Sequence, residues 1–155
     1  QEFEAFSTSG GLGTMCETLA GKVDTLNYKT MRYPGHCQLM RFFLYELVMK
    51  EQRELSEKIL TEAKPPVRED VVYVYAVVEG WKDKEIAREE FYNAYHPKVI
   101  NGKEWRAISW TTAASVAAVV EMVANGTLPQ KGFIKQEEIG FDDFCKTKNG
   151  SLYIK

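Results

Sequence analysis

Apolar positions recur at helical spacing in three long stretches of the chain. From His36 to Val48 they fall three and four residues apart, which predicts a helix. A polar run follows, and a second amphipathic helix carries Leu55 and Ile59 until two consecutive prolines end it. The clearest helix is predicted over 107–126, where Asn125-Gly126 supplies the C-terminal cap. One or two helical turns are also expected over 12–20.

Other stretches carry the alternation or the residue types of strands. Residues 71–81, VVYVYAVVEGW, form a nearly unbroken β-branched and aromatic run, which predicts a central strand buried on both faces. A turn at 82–84 leads into a more polar partner strand, and a second turn is expected at Asn101-Gly102. Weaker signals predict extended segments at 2–6, 23–33, 132–138 and 151–154, and a helical turn at 142–147. The sum predicts an α+β fold, with a mixed, antiparallel-rich sheet covered by helices.

Length and composition then exclude several classes of protein. The chain of 155 residues suits a single domain with one core. Its formal net charge of −2, with both signs interspersed, argues against a nucleic-acid partner, which requires a concentrated basic face. The sequence contains no run of about 18 consecutive apolar residues, so we predict no membrane partner.

The cysteines indicate the redox compartment of the protein, and the first residues indicate how the chain begins. Cys16, Cys37 and Cys145 are far apart, and no CxxC pair occurs, so we predict no metal site and no disulfide framework. They are expected to be buried, reduced thiols of a cytoplasmic protein. Because the sequence begins with Gln1 and runs directly into a strand, we expect a piece of a longer polypeptide.

The glycine-rich loop STSGGLGT, residues 7–14, is the first candidate site. Gly11 and Gly13 match the start of a dinucleotide fingerprint, but Cys16 stands at its third glycine and no acidic residue ends the next strand. We therefore predict no cofactor-binding residue in this chain. Thr8 and Ser9 can cap a helix, and successive glycine N–H groups can attract a small carboxylate. The alternative is a loop that only packs tightly before a capped helix.

The second candidate is KTMRYPGH, residues 29–36. Arg32 ends a predicted strand, and a Pro-Gly turn brings His36 to the start of a helix. Arginine holds a carboxylate with two parallel hydrogen bonds, and histidine can donate or shuttle a proton near neutral pH. In the alternative reading, Arg32 pairs with a structural carboxylate and His36 caps its own helix. The acid pairs at 137–138 and 142–143 are expected to be solvated.

Four segments together resemble a known family. FEAFSTSGGLGTMCETLAGKV, LNYKTMRYPGH, WRAISWTTAASVAAVVEMVANGTLP and KGFIKQEEIGFDDF resemble the C-terminal domain of the saccharopine dehydrogenase family. The bacterial branch, with lysine 6-dehydrogenase and carboxynorspermidine dehydrogenase, is the most similar, and the likeness runs in order along essentially the whole chain. The resemblance implies a second domain of the glyceraldehyde-3-phosphate-dehydrogenase-like C-terminal type. Residues 1–155 would then form one domain of a longer chain whose N-terminal Rossmann domain is absent.

The resemblance also implies a function. Family members are NAD- or NADP-dependent oxidoreductases that transfer hydride at a carbon–nitrogen bond of an amino-acid-derived substrate, here in lysine metabolism. The cofactor would be bound mainly by the missing domain, and this chain alone would bind none. The isolated domain would be inactive. The chain would contribute substrate binding and the contact of a cytoplasmic homodimer. The alternatives are a purely structural dimerisation domain without substrate contacts and an unrelated small α+β binding protein.

The substrate-binding residues follow from the same resemblance. The loop would face the cleft between the two domains with the aromatic strand end beside it, which gives the candidates Thr8, Ser9, Gly10, Gly11, Arg32, Tyr33 and His36. Arg32 is the first choice for a substrate carboxylate. Fungal saccharopine reductases have an Asn-Arg-Asp type segment where this chain has Thr8-Ser9-Gly10. The sequence therefore does not single out saccharopine among the family's substrates.

Overall fold

A computed structural model describes residues 1–8 and 11–154 of the chain. The chain divides into two compact units, Gln1–Pro66 with Lys135–Glu137 and Val67–Ile134 with Glu138–Lys155. Helices and small antiparallel sheets occur along it, so the prediction of a mixed α and β chain is confirmed. The strands of the described chain form three separate two-stranded sheets, however, and the single sheet covered by helices is not observed.

The first unit contains a small antiparallel sheet near its N-terminus. Strand β1 (Glu4–Phe6) pairs with β2 (Thr30–Arg32), and Glu4 lies opposite Arg32 while Phe6 lies opposite Thr30. The predicted segment at 2–6 is confirmed as a strand. Only the last part of the predicted 23–33 strand forms, because Asp24 and Asn27 are residues that favour turns over extended pairing.

The helices of the first unit follow their apolar patterns with one interruption. They are α1 (Met15–Thr18), α2 (His36–Arg41) and α3 (Arg53–Ala63); a π-helical turn, Phe42–Glu46, extends α2, and a 3-10 turn, Met49–Glu51, precedes α3. The helix predicted to reach Val48 ends there because Val48 is left-handed, with φ 56°, which is a strained conformation for a β-branched residue. The buried Ser56 hydroxyl donates to the Met49 carbonyl at 2.6 Å and fixes the corner between the two helical segments.

The second unit begins with a long hairpin. Strands β3 (Val72–Lys82) and β4 (Glu85–Tyr95) pair without a bulge, from Val72 opposite Tyr95 to Lys82 opposite Glu85. Asp83 and Lys84 both have positive φ, 52° and 71°, as a two-residue type I′ turn requires. The predicted strand and turn are thereby confirmed.

The predicted burial of β3 is wrong. Beyond Tyr73 its residues are exposed, and Val78 and Trp81 keep 72% and 77% of their surface accessible. β-Branched and aromatic residues favour strands that are packed against neighbours, but in the described part of the chain β3 pairs with β4 alone. Strand β3 is therefore an edge strand.

The rest of the second unit surrounds one helix. A short hairpin, β5 (Lys98–Ile100) with β6 (Lys103–Trp105), confirms the predicted Asn101-Gly102 turn, and α4 (Ala107–Ala124) and α5 (Phe141–Lys146) follow as predicted. The strand predicted at 132–138 and the extended piece predicted at 151–154 are wrong, since 3-10 turns form at Gln136–Glu138 and Gly150–Tyr153. No neighbouring strand in the described chain pairs with either segment.

Helix α4 supplies the core of the second unit. Its buried positions recur every three or four residues: Ala107, Trp110, Ala114, Ala118 and Met122. Trp110 packs its ring 5.5 Å from Tyr95 and 5.3 Å from Tyr153, and its Nε1 donates to the His96 carbonyl at 2.8 Å. The small alanine side chains allow the aromatic rings to approach the helix closely.

By length and composition alone, α4 is apolar enough to cross a membrane. A core helix passes the same test, and α4 buries one face against the aromatic cluster of its unit. The described chain contains no second helix of this kind.

Candidate functional site

One side of the β1–β2 sheet gathers most of the described residues that the sequence singled out. Alternate residues of a strand, and residues directly opposite each other on paired strands, point to the same side. Glu4, Phe6, Thr30 and Arg32 therefore share one side, which we call the β1–β2 face. It is polar at the Glu4–Arg32 end and carries an aromatic ring at the other.

Helix α2 begins over this face because Glu4 holds its N-terminus. The Glu4 carboxylate accepts hydrogen bonds from the backbone N–H groups of Gly35, at 2.9 Å, and Cys37, at 2.6 Å. Gly35 has φ 89°, so the Pro34-Gly35 turn uses the left-handed conformation open to glycine. The sequence predicted a turn that starts a helix here. Glu4, and not His36, makes these capping hydrogen bonds.

Thr8, which follows β1, and His36, which follows β2, also contact residues of the β1–β2 face. The half-buried His36 ring stacks on Phe6, with centroids 6.1 Å apart and planes inclined by 11°. The Thr8 Oγ1 lies 2.9 Å from the Thr30 Oγ1, within hydrogen-bond distance. An imidazole and two hydroxyls thus lie on the same side of the sheet as Arg32.

Arg32 is exposed and retains the capacity to bind an anion. One N–H of its guanidinium donates to the Met31 carbonyl at 2.8 Å, out of the five N–H donors that the group carries. Glu4 lies directly opposite on β1, so a negative group that is already engaged with α2 flanks the arginine. Arg32 and Glu4 thus put one positive and one negative side chain on the same side of the sheet.

Tyr33, another predicted residue, makes its described ring contact elsewhere. Tyr33 packs on Phe3, with centroids 5.8 Å apart, and alternation along β1 assigns Phe3 to the opposite side from Glu4 and Phe6. Ser9 and Gly10 lie outside the described residues.

Gly11 has a packing role. It has φ 105°, and a Cβ there would lie 2.3 Å from the Tyr28 ring. Close packing therefore explains this glycine without any ligand.

The sequence missed a second polar cluster in the first unit. Glu137 accepts hydrogen bonds from the Thr14 hydroxyl, at 2.9 Å, and the Thr18 hydroxyl, at 2.6 Å, and Lys135 Nζ donates to Thr18 at 3.1 Å. The hydrogen bond from Thr18, above all, lowers the pKa of Glu137. Glu137 is thus a half-buried carboxylate that fastens α1, and the prediction that it is merely solvated is wrong.

Two surface concavities of the second unit contain none of the predicted residues. The larger, of about 540 Å³, is lined by Arg68, Gly102, Lys103, Glu104 and Arg106. The other, of about 450 Å³, is lined by Val99, Ile100, Asn101, Lys148, Asn149 and Leu152. The first is lined mainly by charged side chains, and the second by one lysine, two asparagines and three apolar residues.

The three cysteines are free, as predicted, but two of them are not buried. Cys16 and Cys37 are exposed, which corrects the prediction of buried thiols, because α1 and α2, the short helices that contain them, have no buried residue. Cys145 is half-buried, and burial, with a smaller effect of Asp142, raises the pKa of its thiol. Among the described residues, no group of three or more His, Cys, Asp or Glu side chains could hold a metal ion.

Comparison with known proteins adds no family assignment. No protein-family model matches the chain, and no solved structure matches it significantly. The saccharopine dehydrogenase resemblance therefore stays a prediction from the four motifs.

Proposed function

We propose that this chain is the C-terminal substrate-binding and dimerisation domain of a saccharopine dehydrogenase-like oxidoreductase. The observation that carries the proposal is the β1–β2 face, where residues from two motifs, far apart in sequence, lie together. Arg32, the paired hydroxyls of Thr8 and Thr30, and the His36 imidazole share this face. Such a set is suited to a substrate carboxylate.

The charges of the face favour an amino-acid-derived substrate. Arg32 binds the carboxylate with two parallel hydrogen bonds, and the hydroxyls of Thr8 and Thr30 orient it. The Glu4 carboxylate, opposite Arg32, attracts the ammonium or secondary amine of the same ligand. Binding a substrate by both ends fixes the position of the carbon–nitrogen bond between them.

The remaining parts of the proposal follow from the family. NAD or NADP, bound by an N-terminal Rossmann domain of the longer polypeptide, supplies hydride transfer at the carbon–nitrogen bond. This chain alone is inactive, acts as a homodimer, and belongs to cytoplasmic lysine metabolism. The substrate domain belongs to the glyceraldehyde-3-phosphate-dehydrogenase-like C-terminal type.

Ligand-induced stabilisation of the isolated chain tests the binding role. We expect saccharopine or 2-aminoadipate, at a hundredfold excess over its dissociation constant, to stabilise the chain by about 2.7 kcal/mol. NADPH should give no stabilisation. Arg32→Ala should abolish the gain, and Arg41→Ala, an exposed arginine of α2, should retain it. Equal stabilisation of the two variants would remove Arg32 from the proposal.

A second candidate function is a purely structural dimerisation domain. The observation that favours it is the exposed apolar surface of the β3–β4 hairpin, including Val78 and Trp81. Sedimentation would then give a dimer that no amino-acid-derived ligand stabilises.

A further inference from the structure

In the described chain, the β3–β4 hairpin has no third strand. A two-stranded hairpin is marginally stable in water unless a third strand or a helix packs on it. Only the base of this hairpin packs on α4, through the Tyr95 ring against Trp110, and β3 is exposed beyond Tyr73. The other four strands of the described chain have three residues each and pair among themselves. A strand long enough to match β3, which has eleven residues, must therefore come from outside the described part of the chain.

The turn fixes which backbone groups of β3 point outward. Lys82 and Glu85 flank a two-residue turn and form a hydrogen-bonded pair, and hydrogen-bonded and non-hydrogen-bonded pairs alternate along an antiparallel ladder. Val77 and Glu90 consequently form a non-hydrogen-bonded pair. The N–H and C=O groups of Tyr75, Val77 and Glu79 point to the outer edge of β3, away from β4.

The two edges of the hairpin differ in charge. Strand β4 carries Glu85, Arg88, Glu89 and Glu90, and Arg88 pairs with Glu90 at 2.5 Å on the exposed surface. Charged side chains of this kind protect an edge strand from association. Residues 72–78 of β3 contain no charge, so the outer edge of β3 lacks that protection.

We propose that β3 pairs antiparallel with β3 of a second copy of this chain, which forms a four-stranded sheet in the order β4–β3–β3–β4. This inference rests on the proposed dimerisation and names the surface that performs it. Two-fold symmetry requires a strand that can lie antiparallel to itself. Pairing centred on Val77 sets Glu79 opposite Tyr75 and Lys82 opposite Val72, so no like charges meet. The second copy supplies a strand of equal length and of the same uncharged pattern.

Amide hydrogen exchange on the unmodified chain tests the pairing directly. Sedimentation equilibrium first gives the dimer dissociation constant. NMR-detected exchange is then compared well above and well below that concentration. The amides of Tyr75, Val77 and Glu79 should exchange at least tenfold more slowly in the dimer, while those of Arg88, Glu90 and Tyr92, on the outer edge of β4, should not change.

A matched pair of proline variants tests the same edge. Val77→Pro removes an N–H that faces the proposed partner, and two-fold symmetry removes two hydrogen bonds for each dimer. We expect the dissociation constant to rise at least about tenfold. Glu90→Pro removes the corresponding N–H on the outer edge of β4 and should change it less than about threefold. Far-UV circular dichroism checks that each variant keeps its fold, and the exchange experiment does not depend on them.

The outcomes separate this inference from the broader proposal. A dimer whose β3 and β4 outer amides exchange alike would overturn the β3 pairing and leave dimerisation standing on another surface. A monomer at all concentrations would overturn both the pairing and the dimerisation role. Protection of the β3 edge in a monomer would show that another segment covers it, and would also overturn the pairing.

Discussion

Asp70 stabilises α4 from outside the helix, and its removal gives a sharp test of the packing in the second unit. The Asp70 carboxylate accepts hydrogen bonds from the backbone N–H groups of Ala107, at 2.6 Å, and Ile108, at 2.9 Å. These groups have no partner within the helix, and the helix dipole favours a negative charge beside them. A capping side chain replaced by alanine typically costs about 0.5–2 kcal/mol, and hydrogen bonds to a charged group are at the upper end.

We therefore predict that Asp70→Ala lowers the free energy of unfolding by about 2 kcal/mol. For a chain of this size the melting temperature should fall by about 4–8 °C. Urea unfolding followed by circular dichroism measures the first quantity, and calorimetry measures the second. Asp70→Asn, which keeps one acceptor oxygen without the charge, should lose an intermediate amount.

Glu69→Ala is the matched control. It removes the same charge one residue away, from an exposed side chain, and should change stability by less than about 0.5 kcal/mol. If Asp70→Ala were as mild as Glu69→Ala, the hydrogen bonds to α4 would contribute nothing, and the reasoning would be refuted.

Two further predictions concern local packing and charge. A Cβ at Gly150 would lie 1.9 Å from the Phe144 carbonyl oxygen, so Gly150→Ala should destabilise the chain by about 3 kcal/mol, whereas Gly80→Ala, with no atom within 4 Å, should be nearly neutral in urea unfolding. Thr18→Val removes the main cause of the lowered pKa of Glu137 and should raise that pKa toward its usual value in an NMR titration. Because a lowered pKa stabilises the fold fully above the unfolded-state value and less as the pH falls through the folded-state value, Thr18→Val should also weaken the loss of stability in acid. An unchanged Glu137 titration in Thr18→Val would contradict this assignment.

Local signals in the sequence predicted most of the elements. Asn101-Gly102 adopts left-handed conformations at low cost, and the pattern of α4 has a helical period with a capping signal at its end. Such features depend on a few consecutive residues. They were therefore readable without knowledge of the rest of the chain.

Long-range contacts could not be read in the same way. Asp70 is 37 positions before the helix it caps, and Glu137 is 119 positions from Thr18. A carboxylate that serves a distant element looks the same in the sequence as a solvated one. The strand predicted at 132–138 and the extended piece predicted at 151–154 failed for a related reason, since a strand requires a neighbour that local composition does not provide.

The candidate site shows both situations. Arg32 and His36 are separated only by the turn at Pro34-Gly35, which the sequence predicted. The position of Thr8 beside Thr30 depends on the register of β1 against β2. The capping role of Glu4 depends in addition on where α2 begins relative to β1. The family resemblance, and no local pattern, predicted that Thr8 and Arg32 belong to one site.

Steady-state kinetics of the polypeptide translated from the complete reading frame tests the central claim most directly. We predict NAD- or NADP-linked hydride transfer with an amino-acid-derived amine or aldehyde substrate. Arg32→Ala should raise the Michaelis constant for that substrate at least about tenfold, because a hydrogen bond to a charged group contributes about 1.5–3 kcal/mol. Absence of turnover across a panel of such substrates would contradict the proposed function. A Michaelis constant of Arg32→Ala within about twofold of that of the unmodified protein would contradict the role of Arg32.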